Sequence, residues 1–390
     1  MPKADSPTRM TILATAKALQ SLLHDNAVEI ERGRQLPKAL VQRLAEEGFF
    51  RLCIPHEYGG AEIDPLTLSQ TIETLAEADG STAWCVMIGA TTGLTMAYLE
   101  PATARDLCRD PNVIFAGVFA PRGRAADLGD SYRVDGRWQW GSGSPHAHYI
   151  MGGCTILMDG QPQLLPSGMP DAQMLIAPRA DVEFADNWDV MGLCGTGSQD
   201  FAFNGITVPK ARSVALLTAK PLARPLYAFP VFGLLALGVA SVMLGLGTAA
   251  IRELTILAAA KTPEGHRKPL AARSRTQEDV AEATVMLSAA RSHLREVTAA
   301  AWDDAQHEGI IAVDRKRDLR MAAVHAARTS VRTVDMMYAL AGGTSVYRTS
   351  PLQRIFRDVH VASQHMQVAS PVLETAGRHL LGLEGDYAQL

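Results

Sequence analysis

"YRVDGRWQWGSGSPHAHY", residues 132–149, is the stretch on which the fold turns. Tyr132, Val134, Trp138 and Trp140 alternate with polar residues, the period-two signature of a half-buried strand. Asp135-Gly136 inside it is a hairpin-turn signal. Upstream, "VIFAGVFAPRG" (113–123) is a β-rich run that ends in Pro and Gly. Downstream, "FAFNGITVP" (201–209) carries a second turn signal, Asn204-Gly205. Together these runs predict a small antiparallel β domain over residues 113–218.

The sequence on either side reads as helix. Ile12, Ala16, Leu19 and Leu23 form one apolar stripe. Pro37 opens a second helix, with Leu40, Val41, Leu44 and Ala45 inside and Gly48 at its end. Asp64-Pro65 is an N-cap followed by proline at the first helical position. "STAWCVMIGATTGLTMAYL" (81–99) is a further apolar helix. Beyond about residue 226, Val280, Ala283, Leu287, Ala290, Leu294, Val297 and Ala301 alternate steps of three and four, a seam for a neighbouring helix. The expected organisation is a helical domain (1–112), a β domain (113–218) and a helical bundle (219–390), a mainly α fold with one β domain. Without βαβ alternation, a Rossmann or barrel enzyme is disfavoured.

Composition narrows the function. The 390 residues are 47% hydrophobic with a net charge of −4, enough for a large core and too balanced for a nucleic-acid or anionic-membrane partner. Five scattered cysteines without C-x-x-C spacing read as thiols of a reducing cytoplasm. The N-terminal "MPKADSPTRM" has no signal-peptide core. Phe229 to Ile251 runs 23 residues without a charge, long enough to span a bilayer. Four glycines and no aromatic belt make it instead an expected buried helix. Its "GLGTAA" fits a dinucleotide fingerprint only in spelling, because no strand precedes it.

Few residues stand out chemically. Ser142-Gly143-Ser144 follows the tryptophan-rich strand, where a glycine-flanked serine lets a flat ligand approach. It lacks the spacing of a nucleophile elbow. His146 and His148 lie two apart, but no third ligand supports a metal, and none is expected. Thr196 and Ser198 offer hydroxyls in the tight loop "GLCGTGS". His360 and His365 are five apart, about 140° around a helix, too far to share a metal.

"IPHEYGG" (54–60), "YRVDGRWQWGSGSPHA", "MGLCGTGSQDFAFNGITVP" (191–209) and "ALAGGTSVYRTSPLQRIFRD" (339–358) occur together and in order. In these the chain resembles the acyl-CoA dehydrogenase superfamily over nearly its whole length. The resemblance implies an N-terminal helical domain, a middle β domain and a C-terminal four-helix bundle. It also implies a homotetramer or dimer with flavin between domains and subunits. Dehydrogenases of the family need a carboxylate base, in many of them nine residues after the Arg of the Arg-Asp pair. That position is Met366 here.

The departures resemble the family's flavin-dependent monooxygenases, among them the oxygenase component of p-hydroxyphenylacetate hydroxylase and enzymes of indole and indoleacetate. The resemblance implies hydroxylation of a small aromatic, indole-type or phenolic, through a flavin C4a-hydroperoxide. O2 is co-substrate, and reduced FMN or FAD comes from a separate NAD(P)H:flavin reductase. His365, eight residues after Arg357, is implied as a catalytic base facing substrate, with His360 structural or at the pocket edge. Ser142 is implied at flavin N5, and Trp84 (of "GSTAW"), Gly143, Thr196, Ser198, Gly342 and Gly343 as further flavin contacts. A second active-site histidine used by some members is missing from "IGATTGL" (88–94). An acyl-CoA dehydrogenase with a displaced base and a non-catalytic flavin-binding homologue are the alternatives.

Overall fold

A computed structural model describes residues 6–385, 387 and 390. Part of the N-terminal stretch read for a signal peptide therefore lies outside the described residues. Five helices come first: α1 (Ser6–Gly33), α2 (Lys38–Glu46), α3 (Pro65–Ala76), α4 (Gly80–Gly93) and α5 (Pro101–Leu107). The expected starts hold. Asp64 caps α3 by accepting from Thr67 N, and Pro37 precedes α2.

Strands follow: β1 (Phe115–Asp127), β2 (Ser131–Gly141), β3 (Tyr149–Met158), β4 (Gln161–Pro162), β5 (Ala172–Pro178), β6 (Glu183–Phe184), β7 (Gln199–Pro209) and β8 (Ser213–Val214). They form one sheet in the order β6-β7-β2-β1-β3-β5-β8, with β4 beside β3. The sheet corrects the sequence reading in two ways. It is mixed, because β1 and β3 run parallel. And neither Asp135-Gly136 nor Asn204-Gly205 makes a hairpin turn. Both lie within strands, where Asp135 pairs with Asn204 across a register shift. Gly205 takes a left-handed φ of 64° there, so the turn chemistry builds a β-bulge. Trp138, fully buried, fills the sheet's core face and stacks on Phe201 at 5.1 Å.

The rest is helical: α6 (Pro225–Ala228), α7 (Val231–Ala260), α8 (Ser274–His307), α9 (Val313–Ala341), α10 (Pro351–Ala362) and α11 (Ser370–Leu380). The long apolar stretch lies in α7. Its most apolar window is 89% buried within the protein, packed by α3, α4, α8, α9 and α10, which makes it the bundle's central rod. The α8 seam also forms, with Ala283, Leu287, Ala290, Leu294 and Ala301 all buried. All five cysteines are free thiols.

Candidate active site

The end of β2, the loop before β7, helix α4 and the segment after α10 meet in one place. Asp79 caps α4, accepting from Thr82 N at 2.7 Å and Thr82 Oγ1 at 2.8 Å. This cap fixes the helix that carries Trp84. The Trp84 indole Nε1 donates to Ser142 Oγ at 3.1 Å. Ser142 Oγ lies 2.7 Å from Ser198 Oγ, and Ser198 Oγ lies 2.7 Å from Thr196 Oγ1. Thr196 Oγ1 donates to the Leu193 carbonyl at 2.8 Å. Thus Trp84, Ser142, Thr196 and Ser198, singled out separately in the sequence, form one buried line. A Cβ on Gly143, next in the chain after Ser142, would meet nothing within 4 Å.

The loop that supplies Thr196 and Ser198 is tied down from α10. Leu193 sits in the left-handed region with φ of 51°, a costly conformation for leucine. Asp358 holds it by accepting Leu193 N–H at 2.6 Å. Gly192 has no room for a side chain, since a Cβ would lie 2.3 Å from the Arg357 carbonyl. Arg357 in turn pairs with Glu31 and donates to the Met191 carbonyl. Burial pushes the Asp358 carboxyl up to about 7, reinforced by nearby Asp79 and opposed by the Leu193 hydrogen bond and by Arg354. Burial likewise raises Asp79. Asp79 and Asp358 thus brace opposite ends of the hydroxyl line and border one crevice with Arg354. Ser142 and His365 line neither this crevice nor the groove beside β6 and β7.

Sequence reasoning missed these two braces. The Asp79-x-x-Thr82 spacing was a legible capping signal. For Asp358, only its place in the Arg-Asp pair marked it.

His365 is not on a helix. Helix α10 ends at Ala362, and His365 caps the turn Met366–Val368, accepting Gln367 N–H on Nδ1 at 3.3 Å. Its ring stands edge-on to Trp84, with centroids 5.5 Å apart. Burial, with a contribution from Arg320, lowers His365 to about 4. Arg320 is itself buried in α9. Yet His365 keeps partial surface access. It is therefore a neutral imidazole above about pH 5. With Nδ1 accepting, its hydrogen sits on Nε2. Gln367, in the same turn, is buried and its Oε1 has no hydrogen-bond partner among the described residues.

Other sequence candidates fall elsewhere. His360 stays on α10, 2.9 Å from Asp335 Oδ1 and packed on Phe356. His146 Nε2 accepts from Leu36 N, and burial lowers it to about 4. His148 Nδ1 accepts from Ile114 N, so these two histidines serve different elements. Gly342 and Gly343 are exposed at the end of α9, in a turn packed on α9 and α10.

The hydroxyl line suits a flat heteroaromatic edge. It offers hydroxyl oxygens beside an indole and a neutral imidazole.

Comparisons with known proteins agree with this architecture. The model of the acyl-CoA dehydrogenase N-terminal domain matches residues 8–104, and that of the C-terminal domain matches residues 237–370. The chain is 29% identical to an indole-3-acetate monooxygenase of Acinetobacter baumannii, over 92% of this chain and 90% of the relative. It is 28% identical to a flavin-dependent monooxygenase oxygenase subunit, HsaA, of Rhodococcus jostii, over 89% of this chain and 92% of the relative. The crystal structure of a 3-HSA hydroxylase from Rhodococcus sp. RHA1 superposes with a TM-score of 0.90 at 26% identity, covering 99% of this chain and 100% of that one.

Proposed function

The chain belongs to the acyl-CoA dehydrogenase family, in its flavin-dependent monooxygenase branch, and from that premise we propose that it hydroxylates a small aromatic substrate, indole-type or phenolic. It works as an oxygenase component with a separate NAD(P)H:flavin reductase, in the cytoplasm, as a homotetramer or dimer. The observation that carries the reading is the pairing of neutral His365 with Trp84 at the head of the hydroxyl line. The carboxylate that a dehydrogenase needs is replaced by Met366, whose side chain is 67% exposed.

Bound reduced flavin, FMN or FAD, supplies the electrons that activate dioxygen. The chain's own residues supply the surroundings. Ser142 would hold the flavin N5 edge, with Ser198 and Thr196 holding Ser142 from behind. Trp84 walls the ring, and Gly143 leaves the backbone room to approach it. Gly342 and Gly343 would be further flavin contacts; in their own chain they stand exposed at the end of α9. A pocket edged by an indole, buried hydroxyls and a neutral imidazole would limit water, which would suppress wasteful loss of H2O2.

His365 faces the substrate. The general-base role expected from the sequence needs the tautomer with hydrogen on Nδ1. That tautomer would set N–H against the Gln367 N–H. The tautomer that the turn favours instead gives Nε2–H to the substrate as a hydrogen-bond donor. His360 lies at the outer edge.

The test is product analysis by mass spectrometry with indole, indoleacetate and simple phenols. Protein, substrate, O2 and NADH should give no product until a flavin reductase and free flavin are added. Bleaching of bound oxidised flavin by any acyl-CoA would overturn the reading in favour of dehydrogenation.

A further inference from the structure

The face of α4 that carries Trp84 continues to Ile88, one helical turn on. Ile88 is the only residue of α4 that is not buried. Helix α7 runs past α4 in the opposite direction. A Cβ on Gly80 would lie 3.0 Å from Leu246 Cδ2, and one on Gly238 would lie 2.5 Å from Met87 Cγ. The step from Trp84 to Ile88 therefore leads toward the first turn of α7, which carries Phe232. That turn also sits against α9. A Cβ on Gly233 would lie 2.9 Å from Leu319 Cδ2, and Leu319 precedes Arg320, whose charge acts on His365. Both α7 and α9 pack on the Met366–Val368 turn that His365 caps.

Strand β1 packs on α4 as well. Its pairing with β3 breaks between Val118 and Gly123, where residues 119–122 stand opposite Gly153 alone. This bulge is pinned from behind. Trp138 Nε1 donates to the Ala120 carbonyl at 3.2 Å and to the Gly153 carbonyl at 2.9 Å. Gly153 has no room for a side chain, since a Cβ would lie 2.3 Å from the Phe119 carbonyl. From the bulge, Phe119 meets Phe232 edge to face, with centroids 6.4 Å apart and the rings inclined at 73°. Both residues are half-buried. The chain that leads into Phe232 is tied down too. Arg224 pairs with Glu57 and Glu62, and Tyr227 OH donates to the Cys53 carbonyl at 3.4 Å. Two fixed supports, one in the sheet and one in the bundle, thus hold the two rings together.

We propose that Phe119 and Phe232 form the outer wall of the substrate site and set the size of the aromatic it accepts. The inference rests on the proposed hydroxylation beside Trp84 and His365 and deepens it. A wall held from two fixed supports admits one or two fused rings, the size of a phenol or an indole. A third ring would have to part the aromatic pair.

The test compares kcat/KM within pairs of substrates that differ by one fused ring, indole with carbazole and phenol with 2-naphthol. The full chain is used with a flavin reductase and free flavin. A misfit in an apolar pocket sets the scale, so the wild type should favour the smaller member by about tenfold or more. Phe232→Ala and Phe119→Ala should each reduce that preference by about tenfold, chiefly through faster turnover of the larger member. Phe232→Trp should sharpen it. Phe119→Leu, which keeps apolar bulk on the bulge, should fall between Phe119→Ala and the wild type. These two milder variants carry the test should an alanine variant fail to fold. Damage to structure alone would slow both members together, so an unchanged ratio across the variants would overturn the inference. A wild type that turns over both members equally would overturn it too. No product from either pair with the wild type would instead overturn the proposed function.

Discussion

His360 and His365 are five residues apart, and the chain puts them to opposite uses. His360 remains on α10, half-exposed, paired with Asp335 at 2.9 Å and stacked against Phe356. His365 lies beyond the helix end at Ala362, in a short turn that sets it against Trp84. The difference is where the helix stops. Had α10 run on, the two rings would point about 140° apart from one rod. Ending it lets the second imidazole cap a new turn, lose most of its water and stay neutral.

The largest effect should come from breaking the His365 side of this contrast. His365→Ala is expected to lower hydroxylated product per flavin oxidised by on the order of 10²-fold, with H2O2 rising in its place. His365→Gln sharpens the point, because it keeps a hydrogen-bond donor without a base. Partial recovery of coupling supports donation from Nε2, and no recovery restores the general-base role. Next comes Ser142→Ala, expected to raise H2O2 release about tenfold while the substrate still binds. Stopped-flow absorbance with a product count separates these two variants.

A smaller effect appears in stability against pH. His365 and His146 are each lowered to about 4, so the unfolded chain binds more protons than the folded one between about pH 6.5 and 4. Their contribution is lost as pH falls through that window. Asp358, raised to about 7, acts oppositely: the folded protein binds the extra proton, so its contribution is lost as pH rises from about 4 to 7. Asp358→Asn keeps an acceptor for Leu193 but removes the titration. Its stability should fall more steeply than wild type as pH drops from 7 to 4, measured by denaturant melts. An unchanged slope would show that Asp358 does not titrate in this range. The smallest effect belongs to His360→Ala. Its contact with Asp335 is exposed at 32% and 46%, and such surface pairs contribute about 1 kcal/mol or less. Its coupling should stay within about twofold of wild type.

Much of the scaffold is legible in the amino-acid sequence. Apolar stripes at helical spacing mark the buried faces of α1, α2 and α8, and the charge-free run marks α7 as the bundle core. Local rules fail where a partner strand overrides them. Asp135-Gly136 and Asn204-Gly205 read as hairpin turns, but pairing across β2 and β7 absorbs both into a bulge. The parallel β1–β3 pair is likewise invisible to local patterns, since strand direction depends on connections between distant segments.

For the site, the sequence by itself determined which chemical groups were on hand: the Trp84 indole, three hydroxyls, a histidine and no carboxylate at position 366. Only the tertiary structure decided how they act. It joined Trp84 of α4, Ser142 after β2 and Thr196 and Ser198 before β7 into one hydrogen-bonded line. It also turned two acidic residues, Asp79 and Asp358, into braces rather than bases. The physical reason is that a hydroxyl's role follows from what already occupies its one hydrogen. That depends on neighbours up to 58 residues away in the chain, Trp84 to Ser142, which no local pattern records.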